Sequence, residues 1–359
     1  MDFSNENLQQ LLVNSLSMHK TADISTATNI GPKEMSHVYV NAIYFAAAMG
    51  YIKDQLWLED QQSPKNWTCH RYTDFISVLF RNELLPLGFL KDLVSEFGPS
   101  GMQEMGRASK LVEDNIICEV MTWSRPSQKT FLMEALTTMK DHFSWEEKLQ
   151  EGRTYADGHK GPCLYRTLDR LDEILGLDYS LDKGASIKNY GGERLYVGSG
   201  IGVQSGYSTI LLALNHLNIG SGGRIVDLGS GYGRVGLVSA LLRPDLDFIG
   251  YEYVPHRVQV ANEACNTLGL TSHLGFKVQD LSHESFMIPE ADVFYLYDPF
   301  TEETYAKMLK QMVNLSLKNK ITIVTKGNAK GWLSKISLDY HWPPPMEIDG
   351  GNLCIFKSQ

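Results

Sequence analysis

Two kinds of hydrophobic spacing divide the chain. Over residues 1–150 apolar positions recur at three- and four-residue intervals in NLQQLLVNSL (7–16), HVYVNAIYFAAAMGYI (37–52), YTDFISVLFRNELL (72–85) and KTFLMEALTTMKDHF (129–143). That spacing lines one face of a helix. Turn-prone GPK, QSPKN, FGPSG and SRPS separate these stretches. The polar, glycine-bearing EGRTYADGHKGPC (151–163) predicts a boundary, and LYRTLDRLDEILG (164–176) a short amphipathic helix stopped by Gly176.

From about residue 190 the pattern changes to apolar strand, glycine turn, amphipathic helix, repeated. RIVDLG leads into RVGLVSALL, DFIGYE into PHRVQVANEACNTLG, then come GFKVQD, ADVFYLYD, EETYAKMLKQMVNL and ITIVTK. Pro255 opens one helix at a favoured first position and Gly269 closes it. Strands alternating with helices predict an α/β, doubly wound, mainly parallel sheet. After PPP (343–345), MEID-GG-NLCIFK predicts a closing antiparallel hairpin. The expected organisation is a mostly α-helical N-terminal domain at 1–150, a linker and helix at 151–189, and an α/β domain at 190–359.

Composition narrows the functions. With 359 residues, 43% hydrophobic and 21% charged, the chain has material for about two globular domains. A net charge of −9 opposes broad electrostatic binding to nucleic acid or an acidic membrane, so neither partner is expected. Residues 1–150 carry 13 Lys and Arg against 19 Asp and Glu, leaving 20 and 23 in the remainder, so the acidity is concentrated at the front. The five cysteines are scattered with no CxxC spacing, which points to reduced thiols and no zinc site. MDFSNENLQQ lacks the basic start and long apolar core of a secretory signal, and no stretch nears the ~18 apolar residues of a membrane span. A cytoplasmic protein is expected, unless export uses a signal of another kind.

The chemistry collects where strands end. Asp227, Glu252, Asp280 and Asp298 each stand at the end of a successive apolar run, and the first run leads into DLGSGYGRVG. In an open parallel sheet, ligands bind outside the carboxyl ends of the strands. Gly231-Tyr-Gly233-Arg-Val-Gly236 formally matches GxGxxG, and Glu252 follows at the distance of a dinucleotide-binding acid. Asp227 disagrees with that reading, because a carboxylate ahead of the loop repels a diphosphate. The same charge favours a ligand bearing an ammonium and a sulfonium.

DLGSGYG, followed by Glu252, Asp280 and Asp298-Pro299-Phe300, resembles the class I S-adenosylmethionine-dependent methyltransferases over roughly 190–359. DLGSGYGRVG…GYE is loosely similar to the non-SET lysine methyltransferases. The resemblance implies a Rossmann-like fold with S-adenosyl-L-methionine as cofactor and no metal. Gly229, Gly231 and Gly233, with Ser230 between them, would pass under the methionine portion near Asp227. Glu252 would take the ribose hydroxyls with Tyr253 beside it, Asp280 the adenine amine, and Leu281 the adenine ring. Asp298, Pro299, Phe300 and Tyr297 would lie at the transferred methyl. DPF is one proline short of the [DN]PP[YF] signature of amino-nitrogen methyltransferases, so a nitrogen acceptor is an expectation, with a protein lysine favoured and a small molecule as the second choice of substrate.

Six glycines between 191 and 206 suggest backbone that approaches something closely. Tyr196, Gly198, Gly200, Gln204 and Ser205 are the candidates there for the methionine end, against a plain linker. Asp227 could instead cap the following helix or pair with Arg234, and Tyr295 and Tyr297 could simply pack. Two further functions fit the same motifs: a nicotinamide-dependent oxidoreductase and a non-catalytic S-adenosylmethionine-binding module.

Overall fold

The computed structural model describes residues 30–62, 67–150, 168–183, 204–297, 300–327, 329–348, 351 and 353–359, with Gln9, Leu12, Val13 and Leu16 as isolated positions. The chain divides into two compact units, Met1–Arg170 and Leu171–Gln359. Among the described residues no helix is long and apolar enough to cross a membrane.

The first unit is helical. Its helices are α1 (Pro32–Gln62), α2 (Cys69–Asn82), α3 (Lys91–Phe97), α4 (Met102–Thr122) and α5 (Arg125–Gln150), with a 3-10 segment at Leu85–Leu90. The last three of the four helices expected over 1–150 hold with different ends: 37–52 extends in both directions, 72–85 shifts to Cys69–Asn82, and 129–143 lengthens. At α2 the Thr68 hydroxyl accepts from the Arg71 N–H, a side-chain cap that fixes the start. Of the expected 7–16 helix only the isolated positions are described, and they are helical. α1 is buried around most of its girth from Met35 to Ile52, as a helix apolar on every side must be. It packs against α4 and α5.

Helix α4 was not expected. Its buried Met102, Met105, Ser109, Val112, Ile116 and Val120 keep helical spacing, with Ser109 as the polar member. The Ser109 hydroxyl donates to the Ala42 carbonyl on α1, which satisfies a buried polar group.

The second unit holds α6 (Leu171–Leu175), α7 (Tyr207–His216), α8 (Arg234–Leu242), α9 (Pro255–Thr267), α10 (Glu302–Ser316) and α11 (Ala329–Asp339). Its strands are β1 (Arg224–Leu228), β2 (Asp247–Glu252), β3 (Leu274–Val278), β4 (Val293–Tyr297), β5 (Thr322–Lys326), β6 (Met346–Ile348) and β7 (Leu353–Lys357). They form one sheet in the order β3-β2-β1-β4-β5-β7-β6. β1 to β5 run parallel, and β7 is antiparallel to both β5 and β6. The mainly parallel sheet and closing hairpin agree with the sequence pattern. Asp349 and Gly350 of the hairpin turn lie outside the described residues.

The order reverses between β1 and β4, which puts the crevice beside the end of β1. Asp227 pairs in register with Gly250 on β2 and Tyr295 on β4. β3 is an edge strand, and its exposed rail is capped locally. The Asn262 amide donates to the Phe276 carbonyl at 2.9 Å and accepts from the Phe276 N–H at 3.1 Å. An edge paired in this way offers less to a foreign strand.

Two expectations need correction. The helix expected over 164–176 is short: residues 168–170 are not helical, and the helix runs only from Leu171 to Leu175 before Gly176 turns left-handed at φ 79°. Glycine adopts that conformation without the Cβ clash other residues meet. Residues 171–183, part of the linker and helix expected over 151–189, group with the sheet unit, and Asp172 and Asp182 are hydrogen-bonded into it.

Candidate cofactor site at the carboxyl ends of the strands

The turn after β1 is built from three glycines with positive φ, Gly229 at 92°, Gly231 at 55° and Gly233 at 82°. The Gly229 and Ser230 N–H groups both reach the Tyr251 carbonyl at 2.9 Å, tying the turn to β2. A Cβ on Gly233 would stand 2.6 Å from Phe276 Cζ and 2.8 Å from Ala261 Cβ, so this glycine lets α8 lie close to α9 and β3. Gly231 has a different neighbour: its Cβ direction meets the Gln204 amide nitrogen at 2.7 Å. Gln204 therefore sits over the turn.

Asp227 is 2% exposed, and its Oδ2 has no hydrogen-bond partner among the described residues. Burial, reinforced by the nearby Glu252 charge, pushes its carboxyl well above the usual range. The Ser230 hydroxyl and Gln204 Nε2 are likewise buried without a partner among the described residues. A buried polar atom normally finds one, because leaving it unmet costs about 1–3 kcal/mol. The three atoms belong to the end of β1, the turn after it and the segment over that turn.

Arg234 does not supply that partner. Its guanidinium is 1% exposed and grips Asp172: Nε donates to Oδ1 at 3.0 Å and Nη2 to Oδ2. Tyr207 and Tyr179 each donate to Asp172 at 2.7 Å, while Arg234 Nη1 donates to the Ser205 carbonyl at 3.1 Å. The guanidinium carbon also stands 4.8 Å from the centre of the Tyr207 ring. Burial raises the Asp172 carboxyl's pKa, with the Arg234 charge and the three hydrogen bonds pulling it back. The suggested pairing of Asp227 with Arg234 is thus replaced by Asp172–Arg234.

Glu252 is buried at the end of β2, its Oε2 accepting from the Gly231 N–H at 2.9 Å and its Oε1 from the Val254 N–H at 3.0 Å. A carboxylate offers about four acceptor positions, so two bonds leave room for donors from a ligand. Arg257 lies 4.0 Å from Glu252 and 3.0 Å from Asp182, which also holds His256 at 2.7 Å. Asp280 is half-buried after β3, accepting from the Ser282 N–H and hydroxyl at 2.9 and 2.6 Å.

Leu281 and Phe300 are side chains of the core, Phe300 edge-on to Tyr305 at 5.0 Å. Tyr297 is half-buried with Lys326 Nζ 5.0 Å from its ring centre, and Tyr253 is half-buried beyond Glu252. Asp298, Pro299, Tyr196, Gly198 and Gly200 lie outside the described residues. Tyr295, left as packing or contact, is buried on the same register as Asp227 and donates to the Ser205 hydroxyl at 3.1 Å. Burial raises its phenol pKa, and Asp227 adds to the rise.

Sequence reasoning missed Asp172. The signal was present: Leu168, Leu171, Asp172 and Leu175 share helical spacing, so one acid occupies the apolar face.

No protein-family model matches the chain, and no curated protein matches it. Solved structures overlap it in part. It is similar to StiE O-MT at 14% identity, over 29% of this chain and 37% of that one, with a TM-score of 0.25. The chain thus spans little more than a third of that structure. An RNA methyltransferase from Salinibacter ruber crystallised with S-adenosyl-L-homocysteine is 19% identical, over 43% and 92% of the two chains, at TM-score 0.34. A SAM-dependent methyltransferase from Aquifex aeolicus is 14% identical, over 42% and 89%, at 0.33. The sheet unit itself has the mostly parallel, Rossmann-like α/β fold that the class I methyltransferase resemblance implied, with the antiparallel closing hairpin expected from the sequence pattern.

Proposed function

We propose that the sheet unit binds S-adenosylmethionine and transfers its methyl group to a nitrogen acceptor, a protein lysine being favoured. The observation that carries this reading is Asp227, a buried carboxylate with an unmatched oxygen at the glycine turn, while Arg234, the basic residue that follows the turn, grips Asp172. A cationic amino-acid moiety supplies the missing counter-charge, and a diphosphate would aggravate the deficit.

In this reading Gly229, Ser230, Gly231 and Gly233 carry the methionine portion, with Gln204 above them. Glu252 holds the ribose, Tyr253 and Leu281 flank the nucleoside, and Asp280 takes the adenine amine. When bound, the cofactor supplies an electrophilic methyl on a sulfonium. The chain's task is to align the acceptor in line with it and keep water out. Asp298, Pro299, Phe300 and Tyr297 are assigned to that acceptor side, and Tyr196 to the approach over the cofactor. A lysine acceptor with its reference pKa of ~10.4 is neutral in only about one molecule in a thousand near pH 7, so the acceptor side must desolvate or deprotonate it.

The N-terminal region 1–150 is assigned to recognising a protein substrate and the domain at 190–359 to holding the cofactor, with residues 171–183 grouping with the latter. A net charge of −9 favours a protein over a nucleic acid. A cytoplasmic location is part of the same proposal.

The test is binding and transfer. Titration with S-adenosylhomocysteine should stabilise the protein, and NAD and NADP should not. In lysate with radiolabelled methyl donor, the wild type should label a product and Asp227→Ala should lose about a hundredfold in cofactor affinity, about 2.8 kcal/mol. Stabilisation by NAD or NADP instead would make the protein an oxidoreductase. Cofactor binding with no labelled acceptor would make it a binding module.

A further inference from the structure

The Asp172 cluster lies beside the candidate site without belonging to the expected cofactor contacts. Its link to the site runs through Arg234. Asp172 occupies Nε and Nη2 of the guanidinium, leaving Nη1 directed at the Ser205 carbonyl. The Tyr295 hydroxyl donates to the Ser205 hydroxyl at 3.1 Å. Ser205 is thus held at backbone and side chain, and Gln204 beside it lies over Gly231. A lysine in place of Arg234 could not do this, because a point-like ammonium cannot grip a carboxylate on two sides and still reach a carbonyl.

We infer that Asp172 is a positioning residue which, by orienting Arg234 onto Ser205, sets the Gln204–Ser205 segment against the amino-acid end of the ligand. The inference rests on the proposed cofactor and deepens it. Asp172 touches no part of the ligand. It acts at 62 residues' separation from Arg234, through a guanidinium it holds by two nitrogens.

The position of this clamp separates it from a general structural role. S-Adenosylhomocysteine carries the amino-acid end, whereas 5′-methylthioadenosine has the same nucleoside and thioether without it. In Asp172→Asn the affinity for S-adenosylhomocysteine should fall about tenfold, the effect of losing one well-placed polar contact. The affinity for 5′-methylthioadenosine should stay within about twofold. Amide hydrogen exchange at Ser205–Tyr207 should rise in the ligand-free variant. If Asp172→Asn does not fold, Arg234→Lys, which keeps the charge and loses the bridge, should give the same split. Equal losses for both ligands, or no loss for either, would overturn the inference while leaving the cofactor assignment intact. A wild type that binds neither ligand overturns the assignment and the inference together.

Discussion

Two buried carboxylates in the sheet unit have opposite surroundings. Asp172 is saturated: one guanidinium grips both its oxygens, and two phenols donate to it. Asp227 is buried as deeply, yet one of its oxygens meets nothing among the described residues, and its charged neighbour Glu252 is of the same sign. A buried charge that is fully paired holds structure in place, and one left unpaired costs stability until a ligand arrives. The proposed site rests on that difference.

The largest expected effect comes from breaking the saturated member. Asp172→Ala strands the Arg234 guanidinium in the interior, and removal of one partner of such a pair costs about 3–5 kcal/mol. Urea unfolding should show it as a lowered midpoint. A loss near zero would mean that Arg234 finds another acceptor and that the two regions are not distinct.

Gly233→Ala strikes the turn that separates them. The new methyl meets Phe276 and Ala261 below 3 Å on a backbone at φ 82°, so overpacking adds to strain, together about 2–3 kcal/mol. Tyr295→Phe is milder. It removes the bond to the Ser205 hydroxyl and should lower stability by about 1 kcal/mol in the same assay.

The smallest effect carries the opposite sign. Asp227 has its carboxyl pKa raised in the folded state, so stability is highest below the unfolded-state pKa of about 3.9 and falls as pH rises through the raised value. Asp227→Asn removes that penalty. The ligand-free variant should melt slightly higher than wild type at neutral pH, with no gain near pH 3, and should bind S-adenosylhomocysteine poorly. A lower melting temperature at neutral pH would mean that Asp227 is a structural acid like Asp172.

Much of the fold was legible because its cues are local. RIVDL reads as a buried strand from its apolar run, α9 from Pro255 and Gly269, and the closing hairpin from its own turn. Helix α4 was less legible. Its core face includes Ser109, and Gly101 and Gly106 lie at or near its start, so the apolar period looks diluted until Ser109 is seen bonded to Ala42. In the site, the turn glycines and Glu252 stood out by spacing. Leu281 and Phe300 came from the family resemblance alone, and their place in a buried apolar cluster could not be read from local spacing.

The sequence by itself determined the alternation of strands and helices, the glycine turn and the acids at the strand ends, since each depends on neighbours within one or two turns of chain. Only the tertiary structure decided which acid Arg234 would neutralise. Asp172 and Asp227 offer the same charge, and the choice between them follows from a burial geometry that brings residues 172, 179, 205, 207 and 234 together. A buried ion pair offsets its desolvation only when the geometry is good and hydrogen bonds satisfy both partners, and that geometry belongs to the folded chain.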